Sequence, residues 1–310
     1  SVEDCVFTRC NFTANSGVTG TFVNCLFDSC EWTCTATAMT INGVSSNVHI
    51  SNSSFVNTTT DTTVFSATNE VTNLRISNSN FVGRNTGGTV SCVQATSNLY
   101  DAVFTGCTFT GSHTAITADS TIVSLTGGTK HCVFSDCLFS EATVGTGAIG
   151  LGLVSVAAKI NVDNCSFEGC QKTGISASTS STTDGFLNVS NCLFSCSNWG
   201  SYSGVYINNY ATVTRVTGCK FNVFSGLGTP TQYAVRVLSA SNVATVYVEN
   251  NIFNFYITNG NASPVFISSS SINSFLGVTG NTFTTAGNSI GGTGTFNGVT
   301  VEGATCVVQR

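Results

Sequence analysis

The sequence predicts an all-β chain: a single-domain, right-handed parallel β-helix solenoid of about ten coils, each of ~28 residues. Three observations carry that expectation. A six-residue pattern, apolar-x-Asn/Gly/Asp-Cys/Ser/Asn-x-Phe, returns along the chain and ends at Phe12, Phe27, Phe55, Phe81, Phe109, Phe139, Phe167, Phe194, Phe221, Phe253 and Phe283. After a short first step, the intervals are 28, 26, 28, 30, 28, 27, 27, 32 and 30 residues. At such a period each repeat buries its apolar face only by stacking on its neighbours.

The second observation is the third pattern position, which reads Asn24, Asn52, Asn78, Gly106, Asp136, Asn164, Asn191, Gly218, Asn250 and Gly280, with Arg9 the exception. Gly, Asn and Asp tolerate a left-handed backbone, so this position is a bend. The third is parity. The apolar positions sit at offsets 0, 3 and 5, whereas one strand face admits only even offsets. A single left-handed residue between two short strands absorbs the mismatch.

Before the bend, Val48, Leu74, Ala102, Cys132, Ile160, Leu187 and Val246 extend the inward row as a half-buried strand. After each Phe comes a second β-rich run, as at Val64-Phe65, Ala148-Ile149, Val205-Tyr206-Ile207, Val235-Arg236-Val237 and Val265-Phe266-Ile267. The connection between Phe and run varies in length, which is where loops tolerate insertion and function is usually carried. Right-handedness is expected because parallel crossovers are almost always of that hand. One domain, 1–310, divides into irregular first coils over 1–40, regular coils over 41–285 and a terminal coil over 286–310. The start at Ser1, inside a repeat and without a signal peptide, suggests a mature or excised segment.

Composition narrows the class. Only 8% of residues are charged, but 41% hydrophobic content with 22 Phe argues against disorder. Two prolines suit a stacked sheet, where proline would remove a ladder hydrogen bond. A net charge of −5 with dispersed Lys and Arg gives no basic stripe, so nucleic acid is not an expected partner. No apolar run approaches the ~18 residues of a membrane span.

Fifteen cysteines would suggest a disulfide scaffold, but their positions are periodic. Cys10, Cys25, Cys107, Cys137, Cys165, Cys192 and Cys219 fill the inward position after the bend, where Ser53, Ser79, Asn251 and Asn281 stand elsewhere. Cys5 and Cys132 fall in the inward apolar row. These nine read as small core residues, with the Phe ladder beside them. Disulfides stay open for Cys30, Cys34, Cys170 and Cys196. Thiols strung along an axis do not converge as a zinc site requires, so neither metal nor cofactor is expected. Asn-x-Ser/Thr marks Asn11, Asn57, Asn188 and Asn261 as candidate glycosylation sites; Asn52 and Asn164 also carry it but occupy the bend.

The coil pattern resembles the right-handed β-helix repeats of the pectate-lyase-like superfamily over nearly the whole chain. Its Asn-Cys-x-Phe units and Gly147-Ala148-Ile149 look like the repeats of polymorphic outer-membrane-type surface proteins and adhesins. The resemblance implies either a polysaccharide-acting enzyme, with acids clustered on one outer face, or a surface adhesin. Two outward columns test the first. The column before the bend holds Asp163 and Glu249 three coils apart, ~14 Å. The column after the Phe holds Asp28 and Glu168, again isolated; the histidines His49, His113 and His131 show no acid beside them in sequence.

The expectation is therefore a non-catalytic extracellular, cell-surface or virion-surface β-helix: a structural rod, filament subunit or adhesin. The alternative is a polysaccharide-degrading enzyme or tailspike on the same fold. Uncapped coils point to self-association end to end. Trp32, Trp199, Tyr202, Tyr206 and Tyr210 are the candidate contact aromatics, with glycans the candidate partner.

Overall fold

The computed structural model describes residues 1–14, 17–58, 63–85, 91–113, 120–128, 131–141, 148–154, 159–170, 172–178, 185–198, 203–208, 213–225, 231–239, 245–257, 262–269, 275–285 and 298–303. Among the described residues every strand pairing is parallel, and the strands form three sheets that run the length of the stack. The second and third sheets hold 11 strands each, and the first holds 13, of which two lie beside its main path of eleven. The coil number thus exceeds the expected ten. Each coil contributes one strand to the first sheet, turns a one-residue corner into the second, crosses to the third, and returns one rung higher.

The corner is the constant part of each coil. Asn52, Asn78, Asp136, Asn164, Asn191 and Asn250 all have φ between 48 and 56°, and Gly106, Gly218 and Gly280 take φ of 63 to 65°. Amide, carboxylate and glycine tolerate that region because their side chains are short, polar or missing. Arg9 at φ 54° also adopts it, so the one departure from the pattern still makes the turn.

The corner dictates its neighbour. Asn164 N–H donates upward to Ser190 O at 3.0 Å, while Ser166 N–H donates downward to Cys137 O at 2.8 Å. The N–H between them belongs to the inward residue after the corner. It is accepted by the side chain in the same column one coil on: Cys30 N–H by Ser53 Oγ (3.1 Å), Ser53 N–H by Ser79 Oγ (3.2 Å), Cys192 N–H by Cys219 Sγ (3.5 Å), Cys219 N–H by Asn251 Oδ1 (2.8 Å). Each thiol in turn faces carbonyls, as Cys137 Sγ does Ser135 O at 3.2 Å and Phe104 O at 3.5 Å. The column must therefore be small and must both donate and accept, which is why Cys, Ser and Asn alternate there and Ala or Val does not.

Two residues past the corner stands the aromatic ladder. In-register parallel strands repeat the same rotamer at the strand spacing, so rings lie flat on one another. Phe139 on Phe167, Phe167 on Phe194 and Phe194 on Phe221 have centroids 4.6, 4.8 and 4.7 Å apart, with planes within 5°. Third-sheet strands pass over these rings at Gly174, where a Cβ would sit 2.6 Å from Phe194 Cδ1 and 2.7 Å from Gly204 O.

Three expectations are corrected at the N-terminal end. The first coils, expected to be irregular over 1–40, are regular among the described residues: Asn11–Ala14 pairs with Glu31–Cys34, which pairs with Ser54–Asn57. Phe27 is not in the ladder; it pairs with Ile50 and stacks on Phe7 at 4.8 Å within the first sheet. Trp32 takes its place, stacked on Phe12 at 4.7 Å and Phe55 at 4.1 Å, completely buried, its Nε1–H without an acceptor. Likewise Cys25 pairs with Val48 in the earlier inward row, and Cys30 fills the column after the corner. The first coils are short but regular, so the repeated six-residue pattern matched one sheet too early. At the other end, Val299–Gly303 pairs with Ala262–Ser269, giving the terminal coil its third-sheet strand.

Cys219→Ser should keep the acceptor for Cys192 N–H and shift the urea unfolding midpoint little. Cys219→Ala leaves that buried N–H unpaired and should cost about 2–4 kcal/mol in all, from the lost acceptor and the cavity. Equal midpoints for the two variants would show that the column selects for size alone.

Candidate functional site

Several outward acids on the described coils serve the corners. Asp163, the foremost acid of the outward column, accepts Ser190 Oγ–H at 2.6 Å and Asn191 Nδ2–H at 3.0 Å, both from the next coil. Asp28 does the same with Ser51 Oγ (2.6 Å) and Asn52 Nδ2 (2.9 Å). Asp136 accepts Asn164 Nδ2–H at 2.5 Å, and Glu168 accepts Ser166 Oγ–H at 3.0 Å. Strand register puts Asp163 and Glu249 in one column with Ser190 and Thr217 between them, the three-coil separation expected. Asp28, Asp136 and Asp163 each brace the corner above, while Glu168 bonds within its own coil.

A second left-handed corner runs through the first coils within the first sheet. Asp4, Asn24, Asn47, Asn73 and Asp101 have φ from 52 to 56°. Asn24 Nδ2 donates to Asp4 Oδ1 (2.9 Å), Asn47 Nδ2 to Asn24 Oδ1 (2.8 Å) and Asn73 Nδ2 to Asn47 Oδ1 (2.7 Å). His131 stands next in this column, its Nδ1 3.2 Å from Asp101 Oδ1, with side chains 44% and 64% exposed. This corrects the reading that the histidines have no acid beside them. The pair hides from the sequence because 30 residues separate its members. Geometrically it repeats, with an imidazole, the upward amide contact made below it. His49 is exposed on the first sheet, and the His113 side chain lies outside the described residues.

Cys5, Cys10, Cys25, Cys30, Cys92, Cys107, Cys132, Cys137, Cys165, Cys192 and Cys219 are free thiols. Cys107, Cys132, Cys137, Cys165, Cys192 and Cys219 are buried as expected, and so are Cys30, Cys34 and Cys170, whose disulfide state was open. Cys5 and Cys10 are partly buried in the first coil. Cys196 keeps its side chain outside the described residues. Burial pushes the Cys92 thiol up to about 12, outweighing the backbone hydrogen bond from Gly83. Among the described residues no group of three His, Cys, Asp or Glu is placed to share a metal ion.

Of the candidate glycosylation sites, Asn11 is exposed and Asn188 half-buried on the outer side of the first sheet. Asn57 is corrected: it is 0% exposed, with Nδ2 donating to Ala36 O at 3.4 Å, because it occupies an inward position of the second sheet. Asn261 lies outside the described residues. Of the contact aromatics, Trp32 is core; Trp199, Tyr202 and Tyr210 fall outside the described residues; Tyr206 is on the outer face of the third sheet.

Tyr206 has company that the sequence reading missed. Register places Tyr206, Arg236 and Phe266 in one outward column on consecutive coils. The Arg236 guanidinium carbon is 5.5 Å from the Tyr206 centroid and 4.7 Å from that of Tyr233, and Tyr233 is 5.2 Å from Phe266. On the first sheet Arg215 lies 5.0 Å over Tyr247. On the second, Phe224 and Tyr256 stack at 4.5 Å while 42% and 36% exposed, and Ile252, four residues earlier on the Tyr256 strand, is 44% exposed. Strands from 203 to 269 thus carry an aromatic cluster on all three faces. The signal was present: the runs Val205-Tyr206-Ile207, Val235-Arg236-Val237 and Val265-Phe266-Ile267 align without gaps, and their middle residues form the column. No family model, curated protein or solved structure matches the chain.

Two titrations check these assignments. Hydrogen bonds from Ser51 and Asn52 hold the Asp28 carboxyl below its ordinary value. A depressed folded pKa adds stability above the unfolded value and loses it as pH falls through the folded one. Wild type should therefore exceed Asp28→Ala in unfolding midpoint at pH 7, with the gap shrinking as the solution is acidified below the ordinary Asp range. Iodoacetamide at pH 8 should modify Cys5 and Cys10 in the native protein, while Cys92, Cys132 and Cys165 react only after denaturation, as peptide mass spectrometry would show.

Proposed function

We propose that this chain is a non-catalytic β-helical rod of an extracellular, cell or virion surface, a structural or adhesive element whose contacts are made by the aromatic coils over 203–269. The observation that carries the reading is the employment of its outward acids. Asp28, Asp136 and Asp163 accept hydrogen bonds from the coil above, and the large outward side chains of those later coils include several aromatic rings and two arginines. Aromatic faces are surfaces for sugars and for protein partners alike, and need no chemistry from the rod. Val2, Phe7, Phe12 and Val18 in the first coil are only partly buried. A further parallel coil, of this chain or of another copy, would cover that edge, and end-to-end association is the form in which the rod would extend.

The enzyme reading has the His131–Asp101 pair in its favour, and both readings meet in one experiment. Purified protein is imaged by electron microscopy across a concentration series and incubated with acidic and neutral polysaccharides. Rods or end-to-end filaments without new reducing ends support the proposal. Release of new ends, abolished by Asp163→Asn or His131→Ala, would replace it with a polysaccharide-cleaving enzyme.

A further inference from the structure

The contact face on the third sheet has a more particular chemistry than a bare aromatic platform. Arg236 is half-buried between two tyrosine rings, with Phe266 against the second of them. Its Nε is sealed from solvent and has no acceptor. No described carboxylate makes an ion pair with it. The nearest acid along the sheet, Glu302, stands two coils on and two residues further along its strand, ~11 Å away by strand geometry. A guanidinium cannot shed its proton, so this is a fixed positive charge, already oriented and without a counter-charge among the described residues, on a protein of net charge −5.

We propose that Tyr206, Tyr233, Arg236 and Phe266 form a binding site for an acidic sugar, with the guanidinium taking the sugar's carboxylate or sulfate and the rings taking its apolar face. Resting on the contact role proposed above, this names the ligand class. Rings hold the guanidinium in place before any ligand arrives, so a planar two-oxygen anion meets a preformed fork of N–H donors. The flanking outward residues are hydroxyl and amide groups: Ser176 and Asn208 on nearby coils, and Thr300, which is 2.8 Å from Ser263. They supply the neutral donors and acceptors that sugar hydroxyls need. A nucleic acid would require a row of cations, and one arginine in an aromatic patch does not provide it.

Immobilised hyaluronan offers carboxylates, dextran sulfate offers sulfates, and plain dextran offers neither. The full chain should bind one or both acidic polymers and not dextran, with affinity falling as salt is raised. Arg236→Gln should weaken that binding at least tenfold, whereas Arg215→Gln, on the first sheet, should change it less than twofold. Far-UV circular dichroism and the unfolding midpoint verify that each variant is folded, and Tyr233→Phe, which keeps the ring, should retain binding. Failure of wild type to bind either acidic polymer, equal binding to dextran, or unchanged binding by a folded Arg236→Gln protein would overturn the site. Cleavage of a polymer would sink the non-catalytic reading alone, because dependence of binding on Arg236 is read separately from new reducing ends.

Discussion

A left-handed corner of one residue sends the backbone hydrogen bonds on its two sides in opposite directions along the stack, and that reversal leaves one N–H per coil without a carbonyl. Burying it unpaired would cost about 1–3 kcal/mol per coil, repeated at each rung. The chain meets the need from the adjacent coil, with a thiol, hydroxyl or amide oxygen in the same column. Register follows directly. If a coil slipped by one residue, the acceptor would turn outward and a ring of the Phe ladder would follow it. The column of small polar side chains and the aromatic ladder two residues on are thus one device, the first aligning the coils and the second exploiting that alignment to stack rings at 4.6 to 4.8 Å.

The same constraint decides where function is placed. A corner whose outer side chains are used by the next coil has little freedom to evolve a ligand site, because exchanging Asp163 removes acceptors from Ser190 and Asn191 together. Carboxylates in the corner column therefore read as catalytic candidates in a linear sequence and act as braces in the stack. Outer mid-strand positions of the sheets carry no such duty: their backbone is satisfied by neighbouring coils whatever side chain they bear. Arg215, Phe224, Arg236, Tyr247, Tyr256 and Phe266 all stand on the outer side of such strands.

Legibility of the fold tracked the regularity of the corner. Asn, Asp and Gly at a fixed distance from Phe revealed the bend, the parity break and the inward columns, because steric tolerance of positive φ is written in residue type. What misled was local similarity without register. Phe22-x-Asn24-Cys25-x-Phe27 satisfies the six-residue pattern, yet its Asn24 turns the extra corner of the first sheet and its Phe27 pairs with Ile50. Trp32 was hidden in turn, since a repeat defined by Phe cannot score an indole in the same column. Asn57 met the glycosylation pattern, but inward orientation is set by strand parity, which a three-residue motif ignores. The aromatic column and the His131–Asp101 pair went unread for a further reason: their partners are about one coil apart in sequence, so only an alignment of coil with coil makes them neighbours.

That comparison also shows the rod to be chemically polar along its axis. From Asp4 to Asp101 the first sheet carries the second left-handed corner, with its amide ladder exposed. At His131 the ladder passes to an imidazole, and the next residue in register is Lys159, followed by Phe186 and Val213. Each of Asn24, Asn47 and Asn73 already spends one Nδ2–H on the Oδ1 of the coil below it. Beyond its end, outward positions are free to present rings and guanidinium groups whose charge or face is not consumed internally. The early coils are thus the better stabilised against slippage and the later coils the better equipped for contact. A β-helix can carry different outer side chains at its two ends because each coil depends only on its neighbours, so rings and guanidinium groups at one end leave the ladders at the other undisturbed.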